Sequence, residues 1–406
     1  MITDRQFHRI KRLPPYVFQP INELKAKARA EGADIIDLAM GNPDPATPAH
    51  ITEKLIETVT KPKTNRYSTS RGIPGLRKAQ AKYYDERFGV KLNPETQVVA
   101  ALGSKEGFAN MAQAITEPGD VILSPNPSYP IHAFGFLMAG GTIRQIPARP
   151  DDQFLVAVER AVRYSVPKPL AVVLNYPSNP TAYTADLEFY REVVKFARKH
   201  DLILLSDLAY AEIYFDGNPP PSILQVDGAM DVAVEFTSHS KTYSMPGWRM
   251  GCAVGNERLI AALARVKSYL DYGAFTPIQV AAAAALNGPQ DCVEEVRELY
   301  RTRRDVLVES FANAGWEIPS PPATMFAWAP LPEKFAHMGS LEFAKLLVTR
   351  AGLAVAPGVG FGEQGDNHVR LAFVENEQRI RQAARNVRRF LESQTNSGHK
   401  GRGMDE

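Results

Sequence analysis

The sequence of 406 residues predicts an α/β protein: a large domain in which a mostly parallel sheet is flanked by helices, and a smaller α/β domain after it. Three observations lead to this prediction. Short apolar runs alternate with segments of helical periodicity through the middle of the chain. The runs are apolar at almost every position, which is typical of parallel strands buried on both faces. The chain is also long enough for two hydrophobic cores.

The predicted strands of the large sheet are QVVAAL (97–102), DVILSP (120–125), LAVVLNYP (170–177), LILLSD (202–207) and DVAVEFTS (231–238). Apolar residues recur at helical spacing in GSKEGFANMAQAI (103–115), DLEFYREVVKFARKH (186–200) and NERLIAALARVKSYL (256–270). Thr184 is the predicted N-cap of the second of these helices.

The chain is predicted to divide into four parts. Residues 1–48 form an N-terminal segment that packs on the small domain, 49–290 the large domain, 291–393 the small domain and 394–406 a disordered tail. The small domain begins with a long charged helix and continues with the short runs TMFAWAPL, GLAVAPG and HVRLAF. The tail is predicted from its polar, glycine-rich composition.

Composition excludes several classes of function. The 47 basic and 45 acidic residues leave a net charge of +2, which gives no electrostatic case for binding nucleic acid or an anionic membrane. No apolar run is long enough for a membrane span, and the first residues lack the apolar core of a secretory signal. Only two cysteines occur, Cys252 and Cys292, so a reduced, cytoplasmic location is expected.

Ligands of parallel α/β sheets bind beyond the carboxyl ends of the strands, so the residues that follow the predicted strands are the functional candidates. They are Gly103, Ser104, Lys105, Asn179, Asp207, Tyr210, Ser238, Ser240, Lys241 and Arg249. Each residue type has an ordinary structural explanation when taken alone, as a turn, a helix cap or a solvated charge. Together they bring an amine, a carboxylate, a phenol, an amide and a glycine-containing helix start to one edge of the sheet.

This combination fits a phosphorylated aromatic aldehyde that forms an imine with a lysine, namely pyridoxal 5′-phosphate (PLP). A carboxylate keeps the ring nitrogen protonated, so that the ring accepts the electrons of a carbanion. Cations and helix N–H groups bind the phosphate, and a desolvated amine near other cations loses its proton readily. The sequence therefore predicts a PLP enzyme with Lys241 as the catalytic residue and no metal.

A series of motifs, in this order, resembles the fold-type I aminotransferases of class I and II over almost the whole chain. The motifs are MGNPD (40–44), YSTSRGIPGLR (67–77), GSKEG (103–107), NPSYP (126–130), NYPSNPT (175–181), DLAY (207–210), SHSKTYSMPGWRMG (238–251), APGVGFG (356–362) and VRLAF (369–373). Within this family, RIKRLPPYVF (9–18) and SYLDYGAFTPIQVAA (268–282) are most similar to the bacterial glutamate–pyruvate (alanine) aminotransferase type.

The resemblance implies a role for each residue that binds the cofactor. Lys241 forms the imine and, as a free amine, moves the proton between the substrate Cα and the cofactor. Asp207 pairs with the ring nitrogen, Tyr210 and Asn179 donate to the phenolic oxygen, and Tyr129 stacks on the ring. The residues expected around the phosphate are Gly103, Ser104, Lys105, Ser238, Ser240 and Arg249.

The resemblance also implies the substrate site and the partner. Arg370 matches the arginine that binds the substrate α-carboxylate, with help from Gly41 and Asn179. Tyr67 matches a tyrosine that reaches the phosphate of the neighbouring subunit, which implies a homodimer with shared active sites. Glutamate must be accommodated without a dedicated arginine, and Lys105 or Tyr16 are the candidates for its second carboxylate.

Two positions depart from the family pattern. The usual NPTG is NPTA here, and because glycine adopts positive φ more readily than alanine, a local change in the turn is expected at Ala182. His239 has no role that the resemblance supplies, and it is interpreted as a packing or supporting histidine.

The implied reaction is ping-pong transamination between an amino acid and a 2-oxo acid. The first expectation for the substrates is alanine and pyruvate, paired with glutamate and 2-oxoglutarate. The alternative is a broader or different specificity, for branched-chain, aromatic, methionine or aspartate substrates. The lack of arginine in SYLDYGAFTPIQ (268–279) argues against an aspartate specialist. β-Elimination, decarboxylation and a non-enzymatic regulatory role are the rival classes, and Lys241, Asp207 and Arg370 argue against the last.

Overall fold

A computed structural model describes residues 7–397. The strands are β1 (Ile36–Asp37), β2 (Val98–Ala101), β3 (Val121–Asn126), β4 (Thr142–Pro147), β5 (Pro169–Asn175), β6 (Ile203–Asp207), β7 (Ala233–Ser238), β8 (Gly251–Gly255), β9 (Phe326–Pro330), β10 (Leu353–Ala354), β11 (Ala356–Pro357) and β12 (His368–Ala372). The helices are α1 (His8–Lys11), α2 (Gln19–Ala30), α3 (Ala49–Val59), α4 (Pro74–Phe88), α5 (Ser104–Ile115), α6 (Ile131–Ala139), α7 (Asp152–Tyr164), α8 (Leu187–His200), α9 (Ala229–Val232), α10 (His239–Thr242), α11 (Glu257–Leu270), α12 (Thr276–Asn287), α13 (Asp291–Ala312), α14 (Gly339–Ala351) and α15 (Glu377–Ser397).

The large sheet has seven strands in the order β2-β8-β7-β6-β5-β3-β4. The pairs from β7 to β4 are parallel, whereas β8 runs antiparallel to both of its neighbours. Every residue of β2 and β3 is buried, because helices cover both faces of the sheet. The predicted α/β fold with a mostly parallel sheet is therefore confirmed, and the predicted strands match the observed ones to within two residues.

The helix after β5 begins differently from the prediction. The side chain of Asp186 accepts a hydrogen bond from the backbone N–H of Phe189 and so caps α8. The predicted cap, Thr184, lies two residues too early and is wrong. Asp is as good an N-cap as Thr, and the sequence offers both, so only the backbone path decides between them.

A second, smaller sheet of antiparallel strands has the order β11-β12-β9. Helices α13, α14 and α15 pack around it with a continuous apolar core that includes Phe311, Phe343 and Val387. The N-terminal segment joins this unit, since β1 pairs in parallel with β10 and α2 packs against α14. The predicted domain boundaries at 48/49 and 290/291 stay predictions.

The structure also bears on the predicted tail and on the predicted change in the turn at Ala182. Helix α15 continues to Ser397, so it includes the first four residues of the predicted tail, and residues 398–406 lie outside the described part. Ala182 keeps the left-handed conformation, with φ of +59°, although a local change in the turn was expected. Its amide donates to the carbonyl of Ser178, and this bond holds the turn in place.

No helix within residues 7–397 is long and apolar enough to cross a membrane.

Candidate active site

The candidate site lies where three neighbouring parallel strands end. Asn175 at the end of β5 is in register with Asp207 at the end of β6, and Asp207 is in register with Phe236 near the end of β7. Helix α10 follows β7 directly and carries Lys241. The strand order of the parallel sheet thus brings the predicted carboxylate and amine to one edge.

Lys241 is held in an environment that favours its neutral form. Its Nζ donates to the carbonyl oxygen of Gly41 at 2.9 Å. Burial, followed by the positive charges of Arg370 and Arg249, lowers the pKa of Lys241 to about 8. A lysine with such a pKa loses its proton near neutral pH, as a nucleophilic amine must.

Asp207 is a buried carboxylate with a defined orientation. Its Oδ2 lies 2.9 Å from Nε2 of His132, and its Oδ1 accepts from the backbone N–H of Ala209 at 3.1 Å. The side chain of Asn175 donates to the Asp207 carbonyl oxygen at 3.1 Å and so joins the ends of β5 and β6.

His132 and Asn175 were missed in the sequence analysis as contributors to this site. His132 follows Tyr129 by three residues at the start of α6, and this helical spacing was the available signal. The two rings are in edge contact, with centroids 5.9 Å apart. Asn175 is the first residue of the NYPSNPT motif, in which Asn179 was the predicted site residue.

Two tyrosines flank Asp207. Tyr210 is buried against Phe326, and burial is the main cause that raises its pKa. Tyr129 is half-buried; burial and then the charge of Asp207 raise its pKa. The Lys105 ammonium lies over the Tyr129 ring, 5.7 Å from its centroid, although Lys105 itself is solvent-exposed.

Arg370 is the buried cation of the site. Its Nη1 donates to Oδ1 of Asn179 at 2.7 Å and its Nη2 donates to the carbonyl of Ala39 at 3.0 Å. The guanidinium lies between the rings of Phe326 and Phe361, at 4.0 and 4.7 Å from their centroids. Burial lowers the pKa of Arg370 to about 10, and its buried Nε has no hydrogen-bond partner within the described residues.

A cup for an anion is formed at the start of α5. Gly103 has φ of +84°, and a Cβ built on it would lie 2.2 Å from Nη2 of Arg249, so only glycine permits this close approach. Arg249 donates to the carbonyls of Pro246 and Leu102. Ser104 begins the helix, whose first N–H groups have no partner within the helix.

Ser238 and Ser240 form the opposite side of this cup. The Ser238 hydroxyl accepts from the backbone N–H of Ser240 at 3.2 Å and so caps α10, the short helix that carries Lys241. Gly251 lies between the two sides, because a Cβ there would be 3.0 Å from the backbone nitrogen of Ser104.

The remaining predicted residues fall in different places. Gly41 packs against Phe326, where a Cβ would clash, and its carbonyl binds Lys241. Tyr16 is mostly exposed, and its ring contacts Phe18, which in turn contacts Phe361 beside the Arg370 guanidinium. This places Tyr16 at the mouth of the site. Tyr67 is 85% exposed and contacts Tyr272 rather than the other site residues.

The unpaired cations of the site fit ligands with two anionic groups. Within residues 7–397, Lys241, Arg249 and Arg370 form no ion pair with an acidic side chain, although Arg370 is buried. An unpaired buried guanidinium is costly unless an anion joins it. A phosphate at the cup and a carboxylate at Arg370 satisfy this requirement, so the residues fit PLP and an amino acid. No cluster with metal-ligand composition occurs among the described residues.

Comparison with known proteins gives a consistent result. The family model described as aminotransferase class I and II matches residues 33–387. A putative aminotransferase AatC of Rhizobium meliloti is 72% identical, over 97% of this chain and 97% of its own. The glutamate–pyruvate aminotransferase AlaC of Escherichia coli is 53% identical, over 95% of this chain and 93% of its own.

Other similar proteins are named for a different substrate or have another name. An LL-diaminopimelate aminotransferase of Moorella thermoacetica is 42% identical, over 95% of this chain and 98% of its own. Among solved structures, substrate-bound BacF of Bacillus subtilis matches with a TM-score of 0.90 and 34% identity, over 95% of this chain and 98% of that chain.

The fold and the site define a fold-type I, PLP-dependent enzyme. The chain belongs to the class I and II aminotransferases, as the family model and these relatives show. PLP is therefore its cofactor, and amino-group transfer is its reaction class.

Proposed function

We propose that this aminotransferase exchanges amino groups between L-alanine and 2-oxoglutarate, giving pyruvate and L-glutamate, in both directions. The identity of 53% to a glutamate–pyruvate aminotransferase over nearly the whole chain carries the choice of substrates. Bound PLP supplies an aldehyde that carries the amino group and a ring that accepts electrons. The contribution of the chain is to bind, orient and move protons.

Lys241 is proposed as the catalytic residue. Its pKa of about 8 leaves an appreciable neutral fraction at pH 7 to 8. Its Nζ can therefore accept the proton from the substrate Cα and later donate it again. Asp207, fixed by His132, is proposed to face the ring nitrogen, while Tyr210 and Asn179 face the phenolic oxygen. Tyr129 is proposed to cover one face of the ring.

The cup is proposed to bind the phosphate through the N–H groups of Gly103, Ser104 and Lys105 and through Ser238, Ser240 and Arg249. This arrangement combines a helix start with a guanidinium, and both favour a dianion. Because Arg249 already donates to two carbonyls, its position is set before the phosphate arrives.

Arg370 is proposed to bind the substrate α-carboxylate. Asn179 and the carbonyl of Ala39 hold its two terminal nitrogens, which leaves Nε and the remaining N–H groups to donate. Two aromatic rings exclude water from the guanidinium. Gly41 is proposed to let the main chain lie close to the substrate, since a side chain at that position would clash with Phe326.

Lys105 is proposed to bind the second carboxylate of glutamate, with Tyr16 at the mouth of the site. Its ammonium lies over Tyr129, the residue proposed to cover the ring, and pairs with no acidic side chain in the described part of the chain. Alanine has no second carboxylate, so it does not use this cation.

We also propose a homodimer with shared active sites. Tyr67 contacts Tyr272, which lies in a segment with three other exposed apolar side chains: Tyr269, Leu270 and Phe275. Exposed aromatic side chains close together in the chain are typical of a protein interface. In a dimer Tyr67 is proposed to reach the phosphate of the partner. A cytoplasmic location stays a prediction, based on two free cysteines.

The relatives that act on LL-diaminopimelate provide the second candidate function. That substrate carries a distal ammonium as well as a distal carboxylate. Asp207 is the carboxylate among the site residues described above, and it is already bonded to His132. The site residues therefore favour a substrate with an acidic side chain over one with a distal ammonium. A branched-chain, aromatic, methionine or aspartate specificity is the further alternative.

The test measures kcat/KM for L-alanine, L-glutamate, LL-diaminopimelate, L-leucine and L-aspartate with matched 2-oxo acids. We expect alanine and glutamate to exceed the others by at least about tenfold, a difference of about 1.4 kcal/mol. A preference for any other donor would overturn the proposed specificity while leaving the family assignment intact.

The variant Lys105→Gln should lower kcat/KM for glutamate relative to alanine by about tenfold, because one charged contact is lost. Lys168→Gln is the matched control, since Lys168 is exposed and precedes β5, at the opposite edge of the sheet. An equal loss for both substrates would show that Lys105 does not bind the second carboxylate.

A further inference from the structure

Behind the turn that carries Lys241 lies a small cavity with unusual polar lining. Its volume is about 20 Å³, and Gln80, Tyr83, Thr237, His239 and Tyr243 are among the residues around it. A volume of roughly 10–15 Å³ is enough for one water molecule. The cavity is therefore large enough for one water and too small for an organic ligand.

Most of the polar groups around the cavity already have partners. The hydroxyl of Tyr83 donates to Glu212, that of Tyr243 donates to Gln290, and that of Thr237 donates to the carbonyl of Cys252. These bonds do not use the cavity.

Among the residues around the cavity, Gln80 and His239 are those whose buried side-chain polar atoms lack a partner within residues 7–397. They are 1% and 2% exposed, and in the described part of the chain neither the amide of Gln80 nor either ring nitrogen of His239 has a hydrogen-bond partner. Backbone groups of Ala282 and Met250 lie close enough to the ring to raise the pKa of His239, against the larger effect of burial, but neither forms a well-aligned hydrogen bond with a ring nitrogen. Buried polar groups are nearly always satisfied, by protein or by ordered water.

The two unsatisfied side chains are chemically complementary to one water. Burial lowers the pKa of His239 to about 4, so the imidazole is neutral at physiological pH and has one donor and one acceptor nitrogen. The Gln80 amide likewise has one acceptor atom and one donor atom. A water both donates and accepts, and can therefore bond to both side chains at once.

We propose that this cavity binds one ordered water that joins His239 to Gln80 and fixes the turn that carries Lys241. His239 is the first residue of α10, and its own backbone N–H donates to the carbonyl of Met250 at 3.1 Å. Lys241 lies two residues further on. His239 and Gln80 are thus positioning residues for Lys241, a role that rests on the proposed function of that lysine.

The first test is a high-resolution crystal structure of the PLP-loaded protein. We expect density for a water within about 3.2 Å of a His239 ring nitrogen and of the Gln80 amide. An empty cavity, or a direct bond between the two side chains, would overturn the proposal.

The second test is a double-mutant cycle with Gln80→Leu, His239→Phe and both together. Each single change leaves one buried polar side chain with fewer partners, so each should lower Tm by about 2–4 °C. The double variant removes both polar groups, and its Tm should fall by clearly less than the sum. Additive losses would contradict a shared water.

The third measurement separates positioning from stability. The pH midpoint of the visible absorption of bound PLP depends on how Lys241 sits relative to Arg249 and Arg370, so both single variants should shift it. Val193→Ala, a buried position on α8, is the control, which should lower Tm without moving the midpoint. An unchanged midpoint in the Gln80 and His239 variants would refute the positioning role, whereas wild-type protein without PLP absorption would refute the proposed function itself.

Discussion

The Nε2 atom of His132 lies 2.9 Å from the Oδ2 atom of Asp207, and both side chains are buried. This contact orients the carboxylate that is proposed to face the PLP ring nitrogen. Asp207 receives a second bond at Oδ1 from the backbone of Ala209, so its plane is fixed from two sides.

Replacement of His132 should therefore impair turnover more than folding. His132→Phe keeps the ring contact with Phe108 but leaves Oδ2 of Asp207 without its partner. Loss of a hydrogen bond to a charged group costs about 1.5–3 kcal/mol, so kcat should fall by about 10- to 100-fold. Steady-state kinetics on the PLP-saturated protein checks this, with His200→Phe at the end of α8 as control. A kcat within twofold of wild type would refute the orienting role.

Gly103→Ala should weaken PLP binding through Arg249. The added methyl would overlap the guanidinium, so Arg249 must leave the cup, and the phosphate loses a charged contact. PLP affinity, measured by absorption titration, should fall by about tenfold or more. Gly119→Ala is the matched control, because Gly119 also has positive φ but no atom within 4 Å of the built Cβ. Equal affinity losses in both variants would indicate backbone strain alone.

Arg370→Lys should retain PLP and lose the amino acid. Lysine keeps the charge but cannot donate to Asn179, to Ala39 and to a carboxylate in the geometry of a guanidinium. We expect kcat/KM to fall by about 100-fold or more for every donor amino acid, while the absorption of bound PLP remains. A loss restricted to glutamate would contradict the assignment of Arg370 to the α-carboxylate.

The stability of the PLP-free protein should depend on pH through Lys241. Its folded pKa of about 8 lies below the usual 10.5, so between these values the unfolded chain binds more protons and stability rises with pH. Burial of the charged amine therefore destabilises the folded protein most strongly below pH 8, where Lys241 is protonated in both states. Lys241→Met should therefore raise the free energy of unfolding at pH 7, by up to about 3 kcal/mol.

Urea unfolding of both PLP-free proteins at pH 7 and pH 10.5 measures this difference. The advantage of the methionine variant should shrink at the higher pH, because the wild-type amine is then neutral when folded. An advantage that is the same at both values would mean that the lysine charge carries no cost in the folded protein.

The exposed apolar side chains of residues 269–275, together with Tyr67, give a prediction for assembly. Leu270→Asp introduces a charge among apolar side chains that are proposed to be covered by a second subunit. Sedimentation should show a shift from dimer to monomer, together with weaker PLP binding, because Tyr67 no longer reaches the partner. Lys168→Asp, at the opposite edge of the sheet, should leave the dimer intact. A wild-type monomer would refute the shared site.

The sequence alone determined the fold class, the family and five of the seven strands of the large sheet, whereas β4 and β8 were not predicted. Apolar runs and helical periodicity are local properties, and the motifs are local strings, so both can be read without coordinates. Lys241, Asp207 and Arg370 were recognisable for the same reason, since each lies in a motif of distinctive residues.

Only the tertiary structure decided which groups meet. It joined His132 to Asp207 across 75 positions and Arg370 to Asn179 across 191, and it left Gln80 and His239 unsatisfied around one cavity. It also chose Asp186 over Thr184 as a cap and kept Ala182 left-handed. These outcomes depend on contacts between distant segments. The packing of helices against the sheet sets such contacts, and no local pattern in the sequence encodes them.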